Sequence, residues 1–368
     1  MNQKVCIIGL DCADPGLVFE RFADELPTLT ALRQRGAWGP LRSCHPPITV
    51  PAWSVMLSGR DPGALGIYGF RNRKDRSYDR LSIATSLDVK VPRIWDHLTR
   101  PDDYSIVVGV PGTWPPPAIQ GDLVSGFLAP MSGGSGSNTD IRWTYPPELA
   151  GEIQELFSTH GDIENHGDYQ VDVREFRTED KERLITEITE MTRKRFTLFR
   201  HLLKTRPWNF AVMVEIGLDR IHHGFWRHLD TGHRLHDPDS PYKEVIRDYY
   251  RLLDREIAET LEVIGFDAYT YHDPASDDPT SNAEPGTTTH SNHADTSVFI
   301  VSDHGARSLE GGFALNDWLI REGYLVLKRE GLLNLKRENL TLKKDHAAGE
   351  PDRVPLTPDM IDWSRTRA

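Results

Sequence analysis

The chain has 368 residues, 38% of them hydrophobic and 9% aromatic, with 43 basic against 55 acidic side chains for a formal charge of -12. That composition excludes a disordered chain, and the acidic balance argues against a nucleic-acid surface. No stretch approaches the ~18 consecutive apolar residues of a membrane span, and the start, MNQKVCIIGLDCADPG, lacks the basic segment, long apolar run and cleavage site of a signal peptide, which points to a cytoplasmic protein.

In chain order, KVCIIGLD (Lys4 to Asp11) reads as a buried parallel strand whose carboxyl end is Asp11. PTLTALRQRG fits a helix stopped by Gly36, and TVPAWSVMLSG opens a second helix with Thr49 at or near the N-cap and Pro51 in the first turn. Further strands are expected at YSIVVGVPG, NFAVMVEIG and TSVFIVSDHG, with helices near Glu179 to Lys204 and Tyr242 to Ile264 between them. Strands alternating with helices predict an α/β fold, a doubly wound and mostly parallel sheet flanked by helices. Two segments interrupt the alternation as flexible loops: MSGGSGSN (Met131 to Asn138) and the polar stretch 273–296, which cannot bury enough apolar surface to order itself. The three cysteines, Cys6, Cys12 and Cys44, have no spacing that suggests a disulfide framework or a zinc knuckle. DMIDWSRTRA has the pattern of a new element opening just as the sequence stops, so a chain truncated at its C-terminus is expected.

Ligands of such sheets bind beyond the carboxyl ends of the strands, where Asp11, Asp219 and Asp303 all fall. In SDHG, Gly305 lets the backbone turn, so Asp303 and His304 can face one ion. A carboxylate beside an imidazole suits zinc, manganese or iron better than calcium. In GLDRIHHGFW, Asp219 and His223 stand four apart, so a helical turn puts both on one face; this spacing favours His223 over His222 as a ligand. Thr49, at a helix N-terminus, has a hydroxyl placed in a field that favours an alkoxide and binds phosphate oxygens.

Taken together, GLD near the start, the Thr-x-Pro helix start followed by LSGRDPGALGIYGF, the Asp-x-x-x-His after a middle strand and the late SDHG resemble the alkaline-phosphatase superfamily. Within it the chain looks most like the type I phosphodiesterase/nucleotide pyrophosphatase branch and its predicted phosphohydrolase and phosphomutase relatives, to which VPGTWPP, VSGFLAP and IDWSRTRA are also similar. The resemblance implies one alkaline-phosphatase-like domain over 1–368, with 131–240 as candidate cap or insert elements. It implies two divalent ions, usually zinc with manganese as the alternative: Asp11, Thr49, Asp303 and His304 around one, Asp219 and His223 on the other. Two departures stand out. Leu65-Gly66-Ile67 replaces a His-Gly-Ile of relatives, and the late histidine that completes the second site has no clear match, the candidates being His233, His236, His346 or a residue beyond 368.

The expected activity is phosphodiester or pyrophosphate hydrolysis of a small phosphorylated substrate through a phospho-threonine intermediate. Arg60, Arg71 and Arg73 would serve a monoester substrate if they are not simply surface groups, and Trp114 either walls the pocket or packs in its loop. A phosphomonoesterase, phosphomutase or sulfatase-like enzyme is the alternative, although Thr49-x-Pro51-Ala52-Trp53 departs from the sulfatase Cys/Ser-x-Pro-x-Arg. A binding relative that has lost the second metal is the remaining reading.

Overall fold

The computed structural model describes residues 3–75, 77, 80–130, 142–159, 168–268, 296–309, 311–328 and 356–367. The strands are β1 (Lys4–Leu10), β2 (Arg71–Arg73), β3 (Leu81–Ile83), β4 (Ser105–Val110), β5 (Gly121–Ser125), β6 (Thr144–Tyr145), β7 (Phe210–Glu215) and β8 (Thr296–Val301). The α-helices are α1 (Pro27–Arg35), α2 (Thr49–Ser58), α3 (Pro62–Leu65), α4 (Leu149–Thr159), α5 (Lys181–Thr205), α6 (Gly217–Leu229), α7 (Val245–Val263) and α8 (Leu315–Arg321). The chain divides into two compact units, 1–72 with 83–308 and 73–82 with 309–368.

A six-stranded sheet in the order β6-β5-β4-β7-β1-β8 forms the larger unit, parallel throughout except for the antiparallel β5–β6 pair. This is the expected doubly wound, alkaline-phosphatase-like α/β sheet. Its central strands are buried on both faces, which explains their near-continuous apolar sequences. Alternate residues serve two cores: Cys6, Ile8 and Leu10 of β1 pack with apolar residues of α5, α6 and α7, whereas Ile7 packs with Trp53 and Leu57 of α2. Period-two alternation within one apolar run therefore assigns helices to both sides of the sheet.

The sequence reading contains no strand at β5 or β6. β5 opens on Gly121-Asp122 and carries a short apolar pair, and β6 has two residues, so neither run is long enough to show a period. The segment 131–240 includes part of the sheet itself, since β7 lies between β4 and β1. The expectations for Met131 to Asn138 and for 273–295 fall outside the described residues.

In the smaller unit, Leu325, Leu327 and Ile361 form a compact apolar cluster, and Leu327 bridges Ile361 in antiparallel fashion. No described helix is long and apolar enough to cross a membrane.

Candidate metal centre

β1 stops at Leu10, and Asp11 follows with its backbone N–H donating to Glu215 O at the end of β7 (2.9 Å). Cys12 then takes a left-handed conformation (φ 69°), and its N–H donates to Asp303 Oδ1 at 3.1 Å. The chain thus ties the ends of three neighbouring strands together, through a backbone bond to β7 and a bond from backbone to the Asp303 side chain beyond β8. A left-handed φ is uncommon for a residue with a Cβ and marks a turn fixed by its surroundings.

α2 approaches from the other face of the sheet. Its N-cap is Ile48, in extended conformation, so Thr49 is the first helical residue. One turn later Trp53 is fully buried and donates from Nε1 to Asp11 Oδ2 at 2.9 Å. A Cβ added at Gly9 would lie 2.4 Å from the Trp53 ring, so only glycine lets this indole cross β1 and reach the aspartate.

These elements bring Asp11, Asp303 and His304 together, with one ligand atom from each within 4.8 Å of the others. His304 Nδ1 lies 3.1 Å from Gly305 O, a carbonyl that accepts from an Nδ1–H and so leaves Nε2 as the ring atom available to a metal. Nε2 faces Asp303 Oδ2 at 3.2 Å and Asp11 Oδ1 at 3.7 Å. Both oxygens are buried and neither has a hydrogen-bond partner, the 3.2 Å approach lacking hydrogen-bond geometry. Two carboxylate oxygens and an imidazole nitrogen thus converge, beside the Thr49 hydroxyl, while the opposite oxygen of each carboxylate is held by Trp53 or Cys12. Such an arrangement is costly unless a cation fills it, and its O,O,N donor set fits a borderline metal such as zinc or manganese.

The charges point the same way. Burial, then the negative charges of Asp303 and Asp219, push the Asp11 carboxyl well above the usual range. Asp303 is pushed up to about 7, chiefly by burial. Thr49 Oγ1 stands 3.2 Å from His304 Nε2 and is buried at the same point.

Asp219 and His223 occupy successive turns of α6, with Asp219 Oδ1 3.5 Å from His223 Nε2. Burial lowers the His223 pKa against the pull of Asp219. Unlike Asp11 and Asp303, Asp219 is satisfied by the protein, its Oδ2 accepting from Arg220 Nη1 at 2.5 Å. Among the described residues, no third histidine, cysteine or carboxylate joins this pair in a ligand group. His222 turns away into the core, its Nδ1 3.4 Å from Cys12 Sγ, and burial pushes it down to about 3.

Of the late-histidine candidates, His233 accepts from Leu235 N within its own loop and His236 Nδ1 lies 3.1 Å from Arg227 O in the last turns of α6; His346 is outside the described residues. Trp114 donates to Arg142 O at 3.1 Å and packs at the edge of the larger core, which accounts for it as a loop aromatic.

Sequence reasoning missed Trp53 and Arg220. The four-residue step from Thr49 to Trp53 was a usable signal, because it puts the indole beneath the hydroxyl on one helix face.

The model of the type I phosphodiesterase / nucleotide pyrophosphatase family matches residues 5–268, well over half of the chain. The chain belongs to this family. No curated protein sequence matches it. Among solved structures, this phosphodiesterase-family chain is similar to phosphonoacetate hydrolase from Sinorhizobium meliloti 1021 in complex with phosphonoacetate, at a TM-score of 0.51 and 12% identity over 89% of this chain. The same hydrolase in complex with phosphonoformate gives a TM-score of 0.49 and 14% identity over 88% of this chain. The chain spans 64% of the length of that hydrolase. At this identity the first likeness supports the shared fold, and the family match supplies the membership.

Proposed function

We propose that the chain is a metal-dependent hydrolase of phosphodiester or pyrophosphate bonds in small phosphorylated molecules, with Thr49 as its nucleophile. The carrying observation is the position of Thr49 Oγ1, 3.2 Å from His304 Nε2 where three lone-pair donors converge. Asp11, Asp303 and His304 would hold a divalent cation, which supplies positive charge that lowers the pKa of a nearby hydroxyl and neutralises phosphoryl oxygens.

Thr49 is the first residue of α2, so the free N–H groups of that turn favour an anionic phosphoryl group beside it. Its Oγ1 attacks phosphorus as the bond to the leaving oxygen breaks, and the hydroxyl proton passes to solvent. Water then attacks phosphorus, the bond to Oγ1 breaks, and a proton restores the threonine hydroxyl. Burial of Thr49 and Asp11 leaves their oxygens poorly hydrated, which strengthens the pull of a nearby cation on them.

The test is hydrolysis of bis-p-nitrophenyl phosphate and p-nitrophenyl phosphate by the zinc- or manganese-loaded chain. Turnover of the diester is expected to exceed that of the monoester. Thr49→Ala is expected to retain its fold and metal while losing at least about a thousandfold in kcat. Near wild-type turnover by that variant would reject the nucleophile, and preference for the monoester would favour the phosphomonoesterase reading.

A further inference from the structure

Arg220 follows Asp219 on α6 and is only 4% exposed. Its guanidinium donates to both oxygens of Asp172, from Nε at 2.9 Å and from Nη2 at 2.7 Å, and to Asp219 Oδ2 from Nη1 at 2.5 Å. Its Cζ lies over the rings of Phe127 at 4.9 Å and Phe176 at 4.4 Å. A charge fixed along its edges by two carboxylates and against aromatic rings has no freedom to withdraw.

We propose that Arg220 is a built-in counter-cation for Asp219, so that the chain holds one divalent ion tightly at Asp11, Asp303 and His304 and a second only loosely at Asp219 and His223. The inference rests on the metal-centre reading above. A ligand's outer partner usually strengthens metal binding when that partner is an acceptor that raises the ligand's basicity. A guanidinium acts in the opposite direction: it withdraws negative charge from Asp219 and repels any cation nearby. Among the described residues no guanidinium or ammonium group pairs directly with Asp11 or Asp303, and the cluster's two outward carboxylate oxygens lack partners.

The test is metal content of the full chain, stripped with chelator, reloaded with zinc, dialysed and measured by elemental analysis, with both affinities read by titration calorimetry. The wild-type chain is expected to retain one ion per chain and to bind a second on the order of 10- to 100-fold more weakly. Arg220→Met, which removes the charge but keeps an apolar stem, is expected to retain two ions. Arg220→Lys, which keeps the charge, is expected to retain one.

If Arg220→Met fails to fold, two other variants decide. Asp219→Asn is expected to keep the tight ion, and Asp303→Asn to lose it. Two equally tight ions in the wild type, an unchanged stoichiometry in folded Arg220→Met, or loss of the tight ion in Asp219→Asn would overturn the inference while leaving the metal centre intact. No bound ion in any form would overturn the metal-centre reading, and this inference with it.

Discussion

Asp303 and Asp219 are both aspartates placed after sheet strands of the same unit, and both lie among other carboxylates, yet the protein treats them in opposite ways. Asp303 has one oxygen held by the Cys12 N–H and the other unpartnered against a histidine lone pair. Asp219 has one oxygen facing His223 and the other bound to a buried guanidinium that is itself anchored on Asp172. The first carboxylate is stabilised only when something enters from outside, whereas the second carries its counter-charge with it. An unsatisfied buried oxygen is therefore a more specific sign of a binding position than the presence of a carboxylate.

The largest break in this contrast should come from Asp303→Asn. Loaded turnover is expected to fall by about a thousandfold or more, as the donor set loses its charged oxygen. Above about pH 7, where the metal-free carboxyl is ionised, stability with chelator should move the other way and rise by about 1–3 kcal/mol in thermal melts, because a buried, unpaired charge has been removed. A fall in metal-free stability would mean that the carboxylate is already satisfied by the protein.

Trp53→Phe should have a smaller effect. It keeps a large ring against β1 but removes the Nε1–H that holds Asp11 Oδ2, so zinc affinity is expected to drop on the order of 10- to 100-fold with the fold preserved. Unchanged affinity in calorimetry would show that packing alone positions Asp11.

The mildest test is pH. Asp303 in the metal-free chain is pushed up to about 7 by burial, above an unfolded value of about 4. Between those values the folded chain binds more protons than the unfolded one, so metal-free stability declines as pH rises from about 4 to about 7 and levels off beyond. Bound metal keeps the carboxylate ionised, so the stability difference between loaded and metal-free chains should widen as pH rises through that window. A difference that is constant or narrows in paired melts would remove Asp303 from the set of titrating ligands.

Much of this arrangement was legible in the sequence because it is local. An apolar run ending in aspartate gave β1 and the place of Asp11, a four-residue step gave the shared helix face of Asp219 and His223, and Pro51 with Gly59 bracketed α2. What decides the site's electrostatics was not legible. Trp53 meets Asp11 across 42 positions and Arg220 meets Asp172 across 48, through packing that no window of residues encodes. Asp172 lies outside the regular elements, with no periodicity to draw attention to it. The same limit hid β5 and β6, whose pairing partners supply what their short sequences lack.

The missing side chain at Gly9 has a wider consequence. Because the Trp53 ring fills that space and the same ring holds Asp11, the interior packing of the sheet and the polarity of its carboxyl edge are adjusted by one group. Hydrophobic repacking at this spot thus becomes a remote control on where a carboxylate points, exerted by residues that carry no charge.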